Sequence, residues 1–174
     1  MKKLFTLLAL TISFSMNSQM DDNSANNNSA GTYAVAMGNA TTASGYNSTA
    51  MGSGTTASGN RSTAMGRQTI ASGIYSTAMG SGTTASGGYS TAMGYGATAS
   101  GDSSTAMGFY TTAGGTISTA MGRYTIASDY ASFVIGQYNS SGSSVTNNAT
   151  SFSTSNTAFV IGNGVDSSNK SDAF

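Results

Sequence analysis

The chain of 174 residues contains no cysteine, proline, histidine or tryptophan. Glutamate is missing too, since all six acidic residues are Asp. Each absence closes a class of explanation. Without cysteine there is no disulfide framework and no cysteine-linked lipid anchor. Without histidine or cysteine, neither a Ser-His-Asp nor a Cys-His nucleophile can be built. Six Lys and Arg balance the six acids, and charged residues are only 7% of the chain. That leaves no basic cluster for nucleic acid and no long-range field toward acidic surfaces. Asp21, Asp22, Asp102, Asp129, Asp166 and Asp172 are too scattered to face each other as a catalytic pair across ~5–10 Å. Neither an EF-hand loop nor a Gly-Gly-x-Gly-x-Asp nonapeptide occurs. The expectation is a protein that is not an enzyme and has no cofactor or metal site.

What is present is repetition. Ala-Met-Gly recurs seven times at a spacing of 14, from Ala36-Met37-Gly38 to Ala120-Met121-Gly122. Between the copies lies Thr-Ala-Ser-Gly, starting at Thr42, Thr56, Thr84 and Thr98, with Ile70 and Ile126 opening variants. One unit reads Ser-Thr-Ala-Met-Gly-x-x-Thr-Thr-Ala-Ser-Gly-x-x. A fixed short period of this fidelity marks a solenoid of stacked coils. Serine, threonine and two glycines per unit disfavour helix, so each seven-residue half is expected to be a short strand and a turn. Strand alternation turns Ser48, Ala50 and Gly52 inward with Thr55, Ala57 and Gly59. It turns Thr49 and Met51 out on one side, Thr56 and Ser58 out on the other. The glycine ending each half suits a turn with φ > 0, with Asp129 in that place in the last coil.

The two outer faces differ. One carries Met37, Met51, Met65, Met79, Met93, Met107 and Met121, continued by Phe133 and Ile135 of Phe-Val-Ile-Gly. The other carries Ser44, Ser58, Ser72, Ser86, Ser100 and Ser128, with Gly114 as the exception. At roughly 4.8 Å per coil, seven methionines span about 34 Å, an unusual stripe to leave in water. A coil filled with alanine, serine, threonine and glycine has little apolar volume, whereas burying each Met is worth roughly 1.5–3 kcal/mol. The methionine face is therefore expected to be a core shared between chains.

The corners vary. Tyr110, Tyr124 and Tyr138 recur at one place in successive coils, flanked by Phe109 and Arg123, and Tyr75 and Tyr89 recur on the other corner. Tyrosine beside arginine suits sugars or extended peptides, so these residues are candidate ligand contacts. Mutual support of stacked rings is the alternative.

The Ser-x-Ala-x-Gly coil resembles the YadA-like head repeat of trimeric autotransporter adhesins, whose typical motif is Asn-Ser-Val-Ala-Ile-Gly. The resemblance implies an all-β, left-handed parallel β-roll, three rolls forming a homotrimer, and attachment to a host or matrix protein or glycan. It also implies a place on the bacterial cell surface, associated with the outer membrane. The family's axis-facing Val and Ile fall here on Thr49, Thr63, Thr77, Thr91, Thr105 and Thr119 and on the methionines. Threonine makes that axis more polar.

Residues 1–18 read as a secretory signal, with Lys2-Lys3 before an apolar run too short to span a membrane. Residues 19–32 read as a disordered leader and 33–138 as head repeats. Residues 139–174 read as an insertion of 12, a terminal coil and a cap or neck lead-out. No heptad run or closing barrel strands follow, so the chain is expected to be a fragment or to have its anchor supplied otherwise. Two other functions fit parts of the pattern. The Thr-x-Ser face resembles that of solenoid ice-binding proteins, and the repeats could form a shaft of a phage-tail-like fibre.

Overall fold

The computed structural model describes residues 27–140 and 148–173. The expected signal and most of the leader, residues 1–26, lie outside the described residues, as does part of the insertion. Each 14-residue coil contributes a five-residue strand and a two-residue strand. The long strands are β1 (Val35–Asn39), β3 (Thr49–Ser53), β5 (Thr63–Arg67), β7 (Thr77–Ser81), β9 (Thr91–Tyr95), β11 (Thr105–Phe109), β13 (Thr119–Arg123), β15 (Phe133–Gln137) and β16 (Phe159–Asn163). They stack in chain order as one nine-stranded sheet. The short strands are β2 (Thr42–Ala43), β4 (Thr56–Ala57), β6 (Ile70–Ala71), β8 (Thr84–Ala85), β10 (Thr98–Ala99), β12 (Thr112–Ala113) and β14 (Ile126–Ala127), and they form a seven-stranded sheet behind it. Both sheets are parallel throughout, and like residue lies on like, Met37 beside Met51 and Ala50 beside Ala64. The fold is the all-β parallel roll of 14-residue coils that the period predicts.

The inward alternation holds. Ala36, Ala50, Ala64 and their repeats in the long strands, and Ala43, Ala57, Ala71 and theirs in the short ones, are fully buried. Serines in the Ser48 column and threonines in the Thr55 column complete the interior. Ser48, Ser90 and Ser132 donate to a carbonyl three residues back. Nine other interior hydroxyls, Thr55 and Thr69 among them, have no partner. Alanine methyls beside unpaired hydroxyls make a weak core by area and by polar cost.

The glycines divide into two groups. Gly52, Gly66 and their repeats in the first half do have φ near +120°. Gly45, Gly59, Gly73 and theirs in the second half do not, so the expected left-handed turn is corrected there. They are glycine because the coils are too close for a side chain. A Cβ on Gly59 would lie 2.0 Å from the Gly73 carbonyl oxygen. Asp129 is likewise not left-handed: it is buried, and its Oδ2 accepts from the Thr157 amide at 2.7 Å. It can carry a side chain because the seven-stranded sheet ends at β14. The left-handed residues are instead the second member of each corner pair, Asn47, Arg61, Tyr75 and Tyr89 on one corner and Gln68, Tyr110 and Tyr124 on the other. Their amides point along the stack, as Tyr110 N to the Tyr95 carbonyl at 2.8 Å.

Both ends of the seven-stranded sheet are closed by asparagine in the threonine column. Asn139 Oδ1 accepts from Ile126 N at 2.8 Å, where a backbone carbonyl serves in earlier coils. Asn27 Oδ1 accepts from Thr41 N at 3.0 Å, and Asn28 pairs with Thr42. Coil contacts thus already include Asn27, inside the stretch that composition assigns to the leader. Past β14, among the described residues β15 and β16 have no short-strand partner, and Val134 and Val160 fill the interior. Residues 148–149 of the insertion run along a corner, accepting from Tyr130 N and Thr116 N. Beyond β16 the chain turns back at Asp166–Asn169 rather than running outward. It pairs Asn163 with Ser171 and Ile161 with Ala173, covering the sheet edge. Covered edges of this kind prevent stray strand pairing.

Candidate functional site

The outer face of the nine-stranded sheet gathers every residue expected at an interface. One column runs through Thr49, Thr63, Thr77, Thr91, Thr105, Thr119 and Phe133, in register from strand to strand. The next holds the seven methionines and Ile135. Threonines and methionines are half-buried, each shielded only by its neighbours in the column. Val35, Phe159 and Ile161 extend the same columns. Phe159-Val160-Ile161-Gly162 is a second copy of the Phe-Val-Ile-Gly variant, one coil plus the insertion of 12 beyond the first, and the Phe159 ring stacks on Phe133 at 5.8 Å.

On the corner after the long strand, Tyr110, Tyr124 and Tyr138 stack at 5.2 and 4.8 Å with planes within 13°. Tyr95 stacks on Phe109 at 5.2 Å and meets Tyr110 edge-on, a member of the cluster that the spacing argument overlooked. The Arg123 guanidinium lies 5.0 Å from the Tyr138 ring and 5.3 Å from Tyr124. The hydrogen bond with Tyr95 holds the Tyr110 phenol above its ordinary pKa. Tyr138 is only 6% exposed, so it supports the stack rather than facing a ligand. Because faces cover one another, this ladder offers ring edges and hydroxyls to solvent.

The opposite corner carries Tyr75 on Tyr89 at 5.0 Å. Arg61 lies over Tyr75 and Tyr46 and donates to the Tyr75 hydroxyl. Beside Tyr89 is an open depression lined by Ser72, Ile74, Ser86, Gly88, Asp102 and Ser103. Six of the nine tyrosines occupy left-handed backbone positions, which cost an L-residue roughly 1–2 kcal/mol each. Stacking returns about 0.5–1.5 kcal/mol per pair. The two terms nearly cancel, so stability alone does not account for tyrosine where Gly54, Gly82 and Gly96 serve elsewhere in the column.

Among the described residues the carboxylates are engaged singly. Asp102 accepts from Gly88 N, and Asp172 from Ser140. Asp166 accepts from the Asn169 side chain and from Ser168 N and Asn169 N, which holds its carboxyl below the usual range. Among the described residues no three His, Cys, Asp or Glu converge as a metal site. No helix among them is long and apolar enough to cross a membrane.

A parallel β-solenoid with short corners is a repeat scaffold. Residues 29–55, 57–83 and 85–111 match the YadA head domain repeat, in a form spanning two copies. The chain therefore carries YadA-like head repeats, each match covering about two of its coils. No curated protein matches the chain. The coils from 112 to 138 lie beyond the matched residues and keep the same register.

Proposed function

We propose that this chain is the non-catalytic head of a bacterial surface adhesin, working as a homotrimer that holds host or matrix ligands at the cell surface. One observation carries the reading. A face of threonine and methionine, continued by Phe133 and Ile135 and by Phe159 and Ile161 and in register over nine strands, lies outside a core made largely of alanine and unpaired hydroxyls. Burying the exposed half of each methionine contributes on the order of 1 kcal/mol, and seven in a row supply what the interior lacks. Three rolls joined by this face leave the serine face and the aromatic corners for ligands. Phe109, Tyr110, Arg123 and Tyr124 form one such corner, Tyr75 and Tyr89 the other. Many weak contacts then act together through multivalency.

Light scattering on residues 20–174 tests the assembly, with a mass of three chains expected. Stable, folded single chains at high dilution would overturn it. Adherence to immobilised matrix proteins and glycans tests the role. The Thr-x-Ser face is interrupted by the exposed Ile70 and by Gly114, so thermal hysteresis is not expected. Measurable hysteresis without adherence would replace this reading with ice binding.

A further inference from the structure

We propose that the depression beside Tyr89 is a binding site for one neutral hexose unit, with Asp102 selecting against acidic sugars. The inference rests on the adhesin reading and names the class of its ligand. It starts from a glycine that nothing in the backbone requires. Gly88 is the first residue of its corner, in the column of Tyr46, Ile74 and Asp102. Its φ lies outside the left-handed range, and an added Cβ would touch nothing nearer than Asp102 Oδ1 at 3.5 Å. A side chain is tolerable there by conformation and by contact. Its absence opens a gap two coils wide, about 10 Å, between the exposed Ile74 and Asp102.

The gap is furnished for a sugar. Tyr89 is 65% exposed. One face of its ring is covered by Tyr75, at 5.0 Å and 9°. The other face looks toward the next residue of its column, Ser103, which is too small to cover it. An open aromatic face takes the C–H face of a pyranose. Around it stand groups with unused hydrogen-bonding capacity. The backbone N–H of Ile74, which in this column points to the next coil as Tyr46 N and Gly88 N do, donates to nothing among the described residues. Asp102 Oδ1 is engaged by Gly88 N at 2.9 Å, which leaves Oδ2 to accept from sugar hydroxyls. Ser72 and Ser103 line the rim of the opening, whose volume is about 620 Å³. An apolar wall with a few placed polar groups is how small-molecule sites achieve orientation.

The latch function of Asp102 does not explain its charge. Asn60 makes the same bond from the same column, its Oδ1 accepting from Tyr46 N at 3.1 Å. A neutral amide suffices there. The carboxylate adds an acceptor for hydroxyls and repulsion of sialic or sulfated sugars, a specificity device of the repulsive kind.

Saturation-transfer difference NMR on the full chain, with methyl glycosides of galactose, glucose and N-acetylglucosamine and with N-acetylneuraminic acid, tests the site. Transfer to at least one neutral glycoside is expected, and none to the acid. Gly88→Ile, which installs the residue already present at Ile74 one coil earlier, should cut the signal at least tenfold while light scattering shows an unchanged mass. Tyr89→Gly, which relieves the left-handed backbone, should do the same. Absence of transfer from every neutral glycoside, stronger transfer to the acid, or an undiminished signal in Gly88→Ile overturns the inference. Trimers without sugar transfer would sink this site alone. Single chains that still show transfer would sink the trimeric reading and leave the site standing.

Discussion

The roll shows two outer faces built on the same coils, and they do opposite things with the same spacing. On the nine-stranded side, five-residue strands bring Thr and Met columns into unbroken register. On the seven-stranded side, five of the two-residue strands carry Thr and two carry Ile70 or Ile126, Ser follows every strand except β12, where Gly114 stands, and the sheet stops two strands earlier. The alanine columns behind both are equally buried. What differs is only the outward side chain. One face is apolar and half-exposed, and the other hydrates readily. On the reading proposed above, a roll with a core this thin is stabilised by what it places outside, the reverse of the usual division between interior and surface.

The largest effect should come from making the two faces alike. Met79→Asp with Met93→Asp sets unpaired carboxylates in the apolar column, a burial that is strongly unfavourable. The oligomer should be lost and the mass should fall to one chain by light scattering, with early melting. Next is the thin interior that both faces share. Gly73→Ala brings a Cβ to 1.9 Å from the Gly87 carbonyl oxygen, so a loss of about 3 kcal/mol or more is expected by denaturant titration. Gly82→Ala, with φ +64° and nothing within 4 Å of its Cβ, should lose only about 1–2 kcal/mol. Equal losses at the two glycines would show that backbone strain, not crowding between coils, sets the glycine requirement. At the corner joining the faces, Tyr124→Gly exchanges stacking for relief of strain and should change stability by no more than about 1 kcal/mol. The smallest effect belongs to the serine face. Ser58→Ala with Ser86→Ala should leave mass unchanged and stability within about 0.5 kcal/mol. A change of mass in that variant would mean the chains meet through the wrong face.

Much of the architecture was legible in the order of residues. Ala-Met-Gly every 14 residues specifies the coil, and strand alternation alone places Ala50 inward and Met51 outward. That was possible because each coil touches only its neighbours, so every contact repeats at one separation in the chain. The corner ladder was visible for the same reason, as Tyr110, Tyr124 and Tyr138 are one period apart. Tyr95 escaped notice because it joins the cluster across two columns, through Phe109 and Tyr110.

By itself, then, the sequence determined the period, the strands, the inward alanines and the methionine column, all of which follow from local alternation and a constant repeat. The tertiary structure decided why Gly59 and Gly73 must be glycine, since the next coil's carbonyl occupies the place of a Cβ. It decided that Asn27 and Asn139 close the short-strand sheet, and that the tail returns to bond Gln137 with Gly164 and Ser140 with Asp172. The two asparagine bonds keep the 14- and 13-residue separations of the coils but replace a backbone partner with a side chain, whereas the two tail bonds, 27 and 32 residues apart, match no period. Only the packed arrangement, which requires each open edge to find a hydrogen-bond partner, could fix them.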